Sequence, residues 1–406
     1  KRRYVLNVSY ILMQFPAPSE TFACEDVKAL LRQNSDVSVY ALRGKHRLYD
    51  KLISQRGIST IKISHYSYSN FLLGILLILC NSSVFIKYIV WLIRCESSRP
   101  SNLIKAFFLS PRVFVIWKEL EKKKPDVVHL FWGHMPSLVG WFALNQLHYK
   151  PIVSIFLGAY DLNRKMGISK YVAKNASVVF THTKCNLAEV NRIAEPNKNI
   201  KVIYRGINFD LIDFYKQKRP DSFLSAGRLI KEKGFDDLIV FFSKFCSRNR
   251  NARLSIAGDG PDRSRLEMLA KDLGVDSRVF FLGHIPHNDL LNLMSESQFF
   301  ILFSRYESDR LPNVIKEAMA CGCLCVATDI LGNDELIIDN FTGILCPKAD
   351  MDFAANKLGI LIHSPEAMNK ILLNARGHIA RYFDVNKNMA LYLEELLRLK
   401  DIHQLC

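Results

Sequence analysis

Short, wholly apolar runs recur along the chain, separated by stretches in which apolar residues return every three or four positions. The runs FLSAG, LSIAG, VFFLG, FFILF, LCVAT and GILC punctuate residues 223–346. Each is short and apolar enough to be a strand buried on both faces. Between them the spacing is helical. The first half repeats the scheme less regularly, with strands predicted near 3–11, 37–42, 126–130, 151–156, 177–181 and 200–204. Helices are predicted over 20–33, 70–95, 101–122, 136–147 and 183–194. Alternating strands and helices imply parallel sheets with helices on both faces. Periodicity lapses near 205–221, so the pattern predicts an α/β protein of two Rossmann-like domains, 1–207 and 208–385. Two such domains facing one another leave a cleft, a favoured place for small-molecule sites.

One segment breaks the alternation. NFLLGILLILCNSSVFIKYIVWLIRC, residues 70–95, is greasy, but Asn81, Ser82 and Ser83 divide it and Lys87 lies inside its second half. A spanning helix needs about 20 uninterrupted apolar positions. Two short helices are predicted instead. Either they dip a greasy face into a membrane interface beside basic residues, or they pack in the N-terminal core.

Composition alters this picture in two ways. The chain has 406 residues, enough for two domains, and 49% of them are hydrophobic, as in a well-cored protein. Its charge is lopsided: residues 1–210 hold 30 Lys or Arg against 13 Asp or Glu, whereas the rest hold 25 against 26. The whole excess of +16 therefore sits in the first half, which implies an anionic partner such as a membrane face or a phosphorylated acceptor. No nucleic-acid reader motif is present, so nucleic acid is not expected. The ten cysteines lack zinc spacing and read as reduced, buried thiols of a cytoplasmic protein. The opening RYVLNVSYIL reads as a strand and not a signal peptide.

Candidate chemistry clusters where strands end. The strand Phe299–Phe303 runs into a polar loop carrying Glu307 and Asp309. Pro312 then opens a helix holding Glu317, eight residues after Asp309. Ligands of doubly wound domains bind at the carboxyl ends of strands, where paired carboxylates can accept hydrogen bonds from vicinal hydroxyls. A helix with acidic groups near its positive end is the plainer alternative. In Ala226–Gly234, a strand ends at Gly227, Arg228 projects from the loop and Lys233 stands before the next helix. An arginine fork, a lysine and a helix N-terminus at one junction suit a diphosphate, though surface cations are often merely solvated. A third turn, Ala257-Gly258-Asp259-Gly260-Pro261, permits close approach of backbone to ligand.

Together the segments SAGRLIKEKGFDDLI, SIAGDGPDRSRLEMLA, VFFLGHIP and SDRLPNVIKEAMACGCLCVATDILGNDELIIDNFTGILCP resemble the second domain of family 4 glycosyltransferases. These are the group 1 retaining enzymes of the two-Rossmann, GT-B type. FPAPSETF resembles the opening of bacterial exopolysaccharide members. The resemblance implies a nucleotide-sugar donor, a UDP- or GDP-sugar, with no metal or other cofactor. Arg228 and Lys233 would neutralise the leaving diphosphate and Glu317 would take the ribose hydroxyls. The acidic residue eight positions before it would hold the donor sugar, with Gly227, Gly258 and the backbone at Leu311, Pro312 and Asn313 close to donor atoms. Pro18 to Thr21, including Ser19 and Glu20, would face the diphosphate from the first domain. The last helix, about 386–406, would pack back on that domain. The expected reaction is hexosyl transfer to a lipid-linked or other glycan acceptor in cell-surface polysaccharide synthesis, at the inner face of the cytoplasmic membrane.

The chain departs from the family's pattern in places. The first acidic position is Asp309, or Glu307 if two residues are inserted; Asp309 keeps the spacing. Arg310 replaces the usual glycine, and either contacts an anionic donor sugar or points to solvent. Of the usual His-x-His after a strand, only His129 is present, with Phe131 at the second position, and His134 is the candidate replacement. Gly158-Ala159-Tyr160-Asp161 lacks a histidine that the family places there. An epimerase on the same architecture and a non-catalytic nucleotide-sugar-binding protein are the alternatives.

Overall fold

Two wholly parallel sheets organise the chain in the computed structural model, which describes residues 5–405 apart from 19, 213, 215, 248 and 308. The chain divides into two units, Lys1–Arg205 with Val385–Cys406, and Gly206–Asp384.

The first unit runs β1 (Asn7–Leu12), α1 (Thr21–Arg32), β2 (Asp36–Ala41), α2 (Tyr49–Arg56), β3 (Lys62–Ser64), α3 (Tyr68–Cys80), α4 (Ser82–Glu96) and α5 (Pro100–Lys123). It continues through β4 (Val127–Phe131), α6 (Ser137–Asn145), β5 (Ile152–Leu157), α7 (Ala159–Arg164), α8 (Gly167–Asn175), β6 (Val178–Thr181), α9 (Leu187–Ala194) and β7 (Ile200–Val202). Its sheet order is β3-β2-β1-β4-β5-β6-β7. The central strands β4 and β5 are buried at every position, which is why they read as apolar runs without alternation.

The second unit holds β8 (Arg219–Ala226), α10 (Phe235–Cys246), β9 (Arg253–Ala257), α11 (Arg263–Asp272), β10 (Val279–Gly283), α12 (His287–Glu296) and β11 (Ser297–Leu302). Then come α13 (Asn313–Ala320), β12 (Leu324–Thr328), β13 (Ile344–Cys346), α14 (Met351–Ile362) and α15 (Pro365–Tyr382). Its order is β10-β9-β8-β11-β12-β13. Both sheets reverse their order once, between β1 and β4 and between β8 and β11. In open α/β sheets that reversal opens a crevice at the carboxyl ends of the two strands.

The last helix, α16 (Val385–Leu405), belongs to the first unit. Val385, Met389, Tyr392 and Leu396 are buried in one apolar cluster with Val8, Tyr10 and Leu12 of β1 and Val27 and Leu30 of α1. At ~1.5–3 kcal/mol gross per fully buried large apolar side chain, α16 contributes substantially to that face.

Several elements differ from the sequence reading. The strand expected over 3–11 begins at Asn7, and its first two residues lie outside the described ones. The helix expected from 183 starts at Leu187, because Thr183 caps a preceding 3-10 turn by accepting from the Cys185 N–H at 3.3 Å. Four elements were not read: α2, β3, α7 and α8. They are short or polar, so their periodicity does not rise above that of a loop.

Residues 70–95 form the two short helices expected, meeting at a bend of 99°. Asn81 makes the break by donating its side-chain amide to the Leu77 carbonyl at 2.8 Å. Among the described residues no single helix is long and apolar enough to cross a membrane. α4 buries Tyr88, Trp91 and Leu92 in the core. On its outer face and on α3, Leu72, Leu76, Leu79, Ile86 and Ile93 stay exposed, Leu79 at 70%. Core packing and surface exposure are thus both present, on opposite faces.

Candidate active site

The crevice between β8 and β11 gathers most of the polar residues singled out from the sequence. Two glycines let its loops close up. Gly234 has φ +64°, and a Cβ there would lie 1.9 Å from the Phe303 carbonyl oxygen; Gly258 has φ +140°, and a Cβ would lie 1.9 Å from that of Gly227. Backbone hydrogen bonds fasten the same loops, Leu229 N–H to the Asp259 carbonyl at 3.0 Å and Arg305 N–H to that of Glu232 at 2.9 Å. The Arg305 guanidinium adds ion pairs at 2.8 Å to Asp236 and to Asp237 on α10. Burial pushes the Asp236 carboxyl up, but Arg305 and Arg265 together outweigh this and hold it below the usual range.

On this scaffold Lys233 Nζ lies 2.7 Å from Asp309 Oδ2, and the Ser304 hydroxyl donates to the same oxygen at 2.5 Å. Arg228 is exposed. The structure therefore brings Asp309, and not Glu307, to the lysine. Glu307 is 59% exposed and lies 3.5 Å from Lys348. Arg310 donates from Nε to the Glu307 carbonyl at 2.9 Å. Leu311 is buried with φ +53°, a left-handed conformation uncommon for a side chain of its size. Pro312 precedes α13, and Asn313, its first residue, accepts from Lys316 Nζ at 3.0 Å.

Glu317 is buried within α13, and its Oε1 lies 2.9 Å from His287 Nε2 at the start of α12. His287 escaped the sequence reading. The bond joins residues 30 apart across two helices, and the only local signal was a histidine directly after Pro286.

In the first unit the crevice between β1 and β4 holds the remaining candidates. Arg56 ties down the loop after β1 by donating to the carbonyls of Ala17 and Pro18 at 2.8 and 2.9 Å. Ser19 lies outside the described residues. Glu20 precedes α1 and Thr21 opens it; Glu20 Oε1 accepts from Trp132 Nε1 at 3.1 Å, and burial pushes its carboxyl upward. Beneath this pair the Arg205 guanidinium is packed 4.2–4.5 Å from the rings of Phe22, Phe131, Trp132 and Phe156.

His129 is buried in β4, with Nδ1 2.8 Å from the Ser154 hydroxyl, and burial lowers it to about 3. It packs within the sheet. His134 lies past the strand end, with Nδ1 3.8 Å from Asp161 Oδ1. Burial lowers the imidazole to about 4, helped by Arg164 and Arg43. Burial likewise raises the Asp161 carboxyl to about 7, although Gly158 N–H donates to it at 3.0 Å. At neutral pH the imidazole is uncharged, so the two are close neighbours and not an ion pair. Among the described residues no group of three or more His, Cys, Asp or Glu is arranged to hold a metal ion.

The chain is therefore a two-domain α/β protein of the GT-B type. The family model for glycosyl transferases group 1 matches residues 210–378, most of the second unit. Among curated proteins, the N-acetyl-alpha-D-glucosaminyl L-malate synthase of Bacillus anthracis is 27% identical over 288 residues, 67% of this chain and 74% of that protein. The alpha-D-kanosaminyltransferase of Streptomyces kanamyceticus is 34% identical over 152 residues, 37% of this chain and 39% of the relative. Among solved structures, Anabaena Alr3699/HepE in complex with UDP superposes with a TM-score of 0.72 at 18% identity, covering 97% of this chain and all of that one. That last likeness bears on the fold alone.

Proposed function

We propose that this protein is a retaining, metal-independent glycosyltransferase. It moves a sugar from a UDP- or GDP-sugar to a lipid-linked glycan, as a peripheral protein on the cytoplasmic membrane during cell-surface polysaccharide synthesis. One observation carries the reading: Lys233 and Asp309 pair at 2.7 Å across the reversal point of the second sheet, in the segments after β8 and β11 that also carry Arg228 and Glu317. As the donor bond breaks, negative charge grows on the departing diphosphate, and preorganised cations aimed at it stabilise that change. Arg228 meets one phosphate and Lys233 another, exchanging part of its contact with Asp309 for the ligand. Asp309 then accepts from donor-sugar hydroxyls. Glu317, held by His287, takes the ribose diol, and the free N–H groups opening α13 add donors for phosphate or sugar. No side chain is assigned as a covalent nucleophile; the leaving phosphate takes the acceptor's proton on the same face. His134, uncharged at neutral pH, is the first unit's candidate for contact with the reacting sugar.

The names of the relatives above, both transfer or synthesis enzymes of sugar chemistry, support the donor class. Support for membrane attachment comes from the exposed apolar faces of α3, α4 and α5, together with the positive charge of residues 1–210. The test is a melting-temperature panel of nucleoside diphosphates and their sugars, since a ligand of the native state raises its stability by mass action. Transfer assays on polyprenyl-diphosphate glycans follow, with the anomeric product read by NMR. Stabilisation by a nucleoside diphosphate and an α-linked product from an α-linked donor are expected; turnover of the donor to its epimer without transfer would overturn the reading.

A further inference from the structure

We propose that the first unit contains a binding site for an anionic amphiphile, a cavity that grips a phosphate or diphosphate headgroup and leads an apolar tail out along α5. The inference deepens the lipid-linked acceptor reading above, on which it rests, by naming which part of that acceptor is held and where.

The cavity measures about 390 Å³, ample for a ligand headgroup. It lies at the carboxyl ends of β1, β2, β4 and β5 and is roofed by α5. Three cations line it: Arg43 just after β2, Lys105 on α5 and Arg164 at the end of α7; no carboxylate is among its lining residues. The Arg164 guanidinium lies 4.4 Å over the Tyr160 ring, which leaves its N–H edge available. Among the described residues, the side-chain nitrogens of Arg43 and Lys105 have no hydrogen-bond or ion-pair partner. Like charges converging on one concavity repel one another, and a multivalent anion between them relieves the repulsion. His134 lines the same space.

The other wall is apolar. Met13, Met135, Leu109 and Met166 line the interior, and Ile104 and Phe108 form the lip. Phe108 is 69% exposed and Ile104 57%, and Phe107 beside them is 58% exposed. Charge is concentrated within the cavity while grease continues outward along the helix. A free sugar, a nucleotide or inorganic phosphate would use only the polar half. An amphiphile uses both.

The test titrates the full chain with farnesyl diphosphate below its micelle concentration, with farnesol, and with inorganic diphosphate, each with and without saturating UDP. Farnesyl diphosphate should bind at least about tenfold more tightly than either fragment, with or without UDP. The variants Arg43→Gln and Lys105→Gln should each raise its Kd about tenfold, as expected for a lost charged hydrogen bond. Phe108→Ser should weaken farnesyl diphosphate and leave inorganic diphosphate unchanged. These side chains are exposed, so unchanged melting temperatures are expected for all three variants. Equal affinity for farnesol would make the cavity merely apolar, and equal affinity for inorganic diphosphate would make it a plain anion site. Displacement by UDP would move the ligand to the donor crevice, and indifference to both charge substitutions would place it elsewhere; each of the four overturns the proposal. UDP binding is read separately in the same titrations. A chain that binds the amphiphile but no nucleotide loses the donor reading and keeps this one, and the converse result loses only this one.

Discussion

Replacing Lys233 by alanine separates a catalytic role from a structural one. Among the described residues the lysine's charged partner is Asp309 at 2.7 Å, and the two side chains are 20% and 25% exposed. A part-buried pair that still touches solvent contributes roughly 1 kcal/mol. Its loss also leaves Asp309 with the Ser304 hydroxyl at 2.5 Å, so no carboxylate is stranded. A fall in melting temperature of roughly 2–4 °C is the most that this predicts for a unit the size of Gly206–Asp384. Under the proposed function the same ammonium faces charge developing on diphosphate in the transition state, and removing one such donor should cost ~2–4 kcal/mol, or roughly 30- to 1000-fold in kcat. Lys233→Arg keeps the charge with a broader head and should fall between wild type and alanine. The assay is steady-state transfer with the donor identified by the melting panel, alongside thermal unfolding of each variant. A kcat within about threefold of wild type, or an activity loss matched by a collapse in stability, would refute the assignment of Lys233 to the phosphate.

Further outcomes follow from other parts of the molecule. His287→Ala should weaken nucleoside diphosphate binding several-fold in calorimetry while leaving kcat at saturation nearly unchanged, because it frees Glu317 without touching the phosphate. Burial raises Asp161 to about 7, so its protonated form favours folding at low pH and this contribution is lost as pH rises toward 7. Asp161→Asn should therefore gain melting temperature relative to wild type as pH goes from about 4 to 7; a constant gap would show that Asp161 titrates normally. Gly258→Ala should destabilise by ~2 kcal/mol or more in denaturant unfolding, since the new Cβ meets a carbonyl oxygen at a left-handed φ. Leu79→Asp combined with Ile93→Asp should abolish flotation with anionic liposomes and move the melting temperature little, because both positions are exposed.

Strand runs such as FFILF and LCVAT were legible because central parallel strands are buried on both sides, so a burst of apolar residues signals them without further context. Lys233 and Asp309 were legible individually, and their spacing within a strand–loop–helix unit placed both at strand ends. Their mutual contact was not, since it depends on β8 and β11 being neighbours, a fact of sheet order that no local window contains. The same reason hid His287 from Glu317. His134 was read as a stand-in for a lost histidine. That Asp161 lies beside it is not legible locally, because α7 is six residues long and its pattern resembles a loop. The greasy stretch at 70–95 was legible down to its break at Asn81, yet which of its faces would be covered depended on α5 and α6.

The placement of α16 has a consequence for biosynthesis. Residues 206–384 form an uninterrupted segment, whereas the first unit needs both the beginning of the chain and a helix that starts at Val385. A ribosome therefore releases everything required for the later unit before it supplies the final piece of the earlier one. While translation continues, β1 and α1 wait with Tyr10, Val27 and Leu30 uncovered, a nascent surface suited to chaperone capture. Nonsense mutations near position 384 should accordingly damage the amino-terminal half, not the half in which they fall.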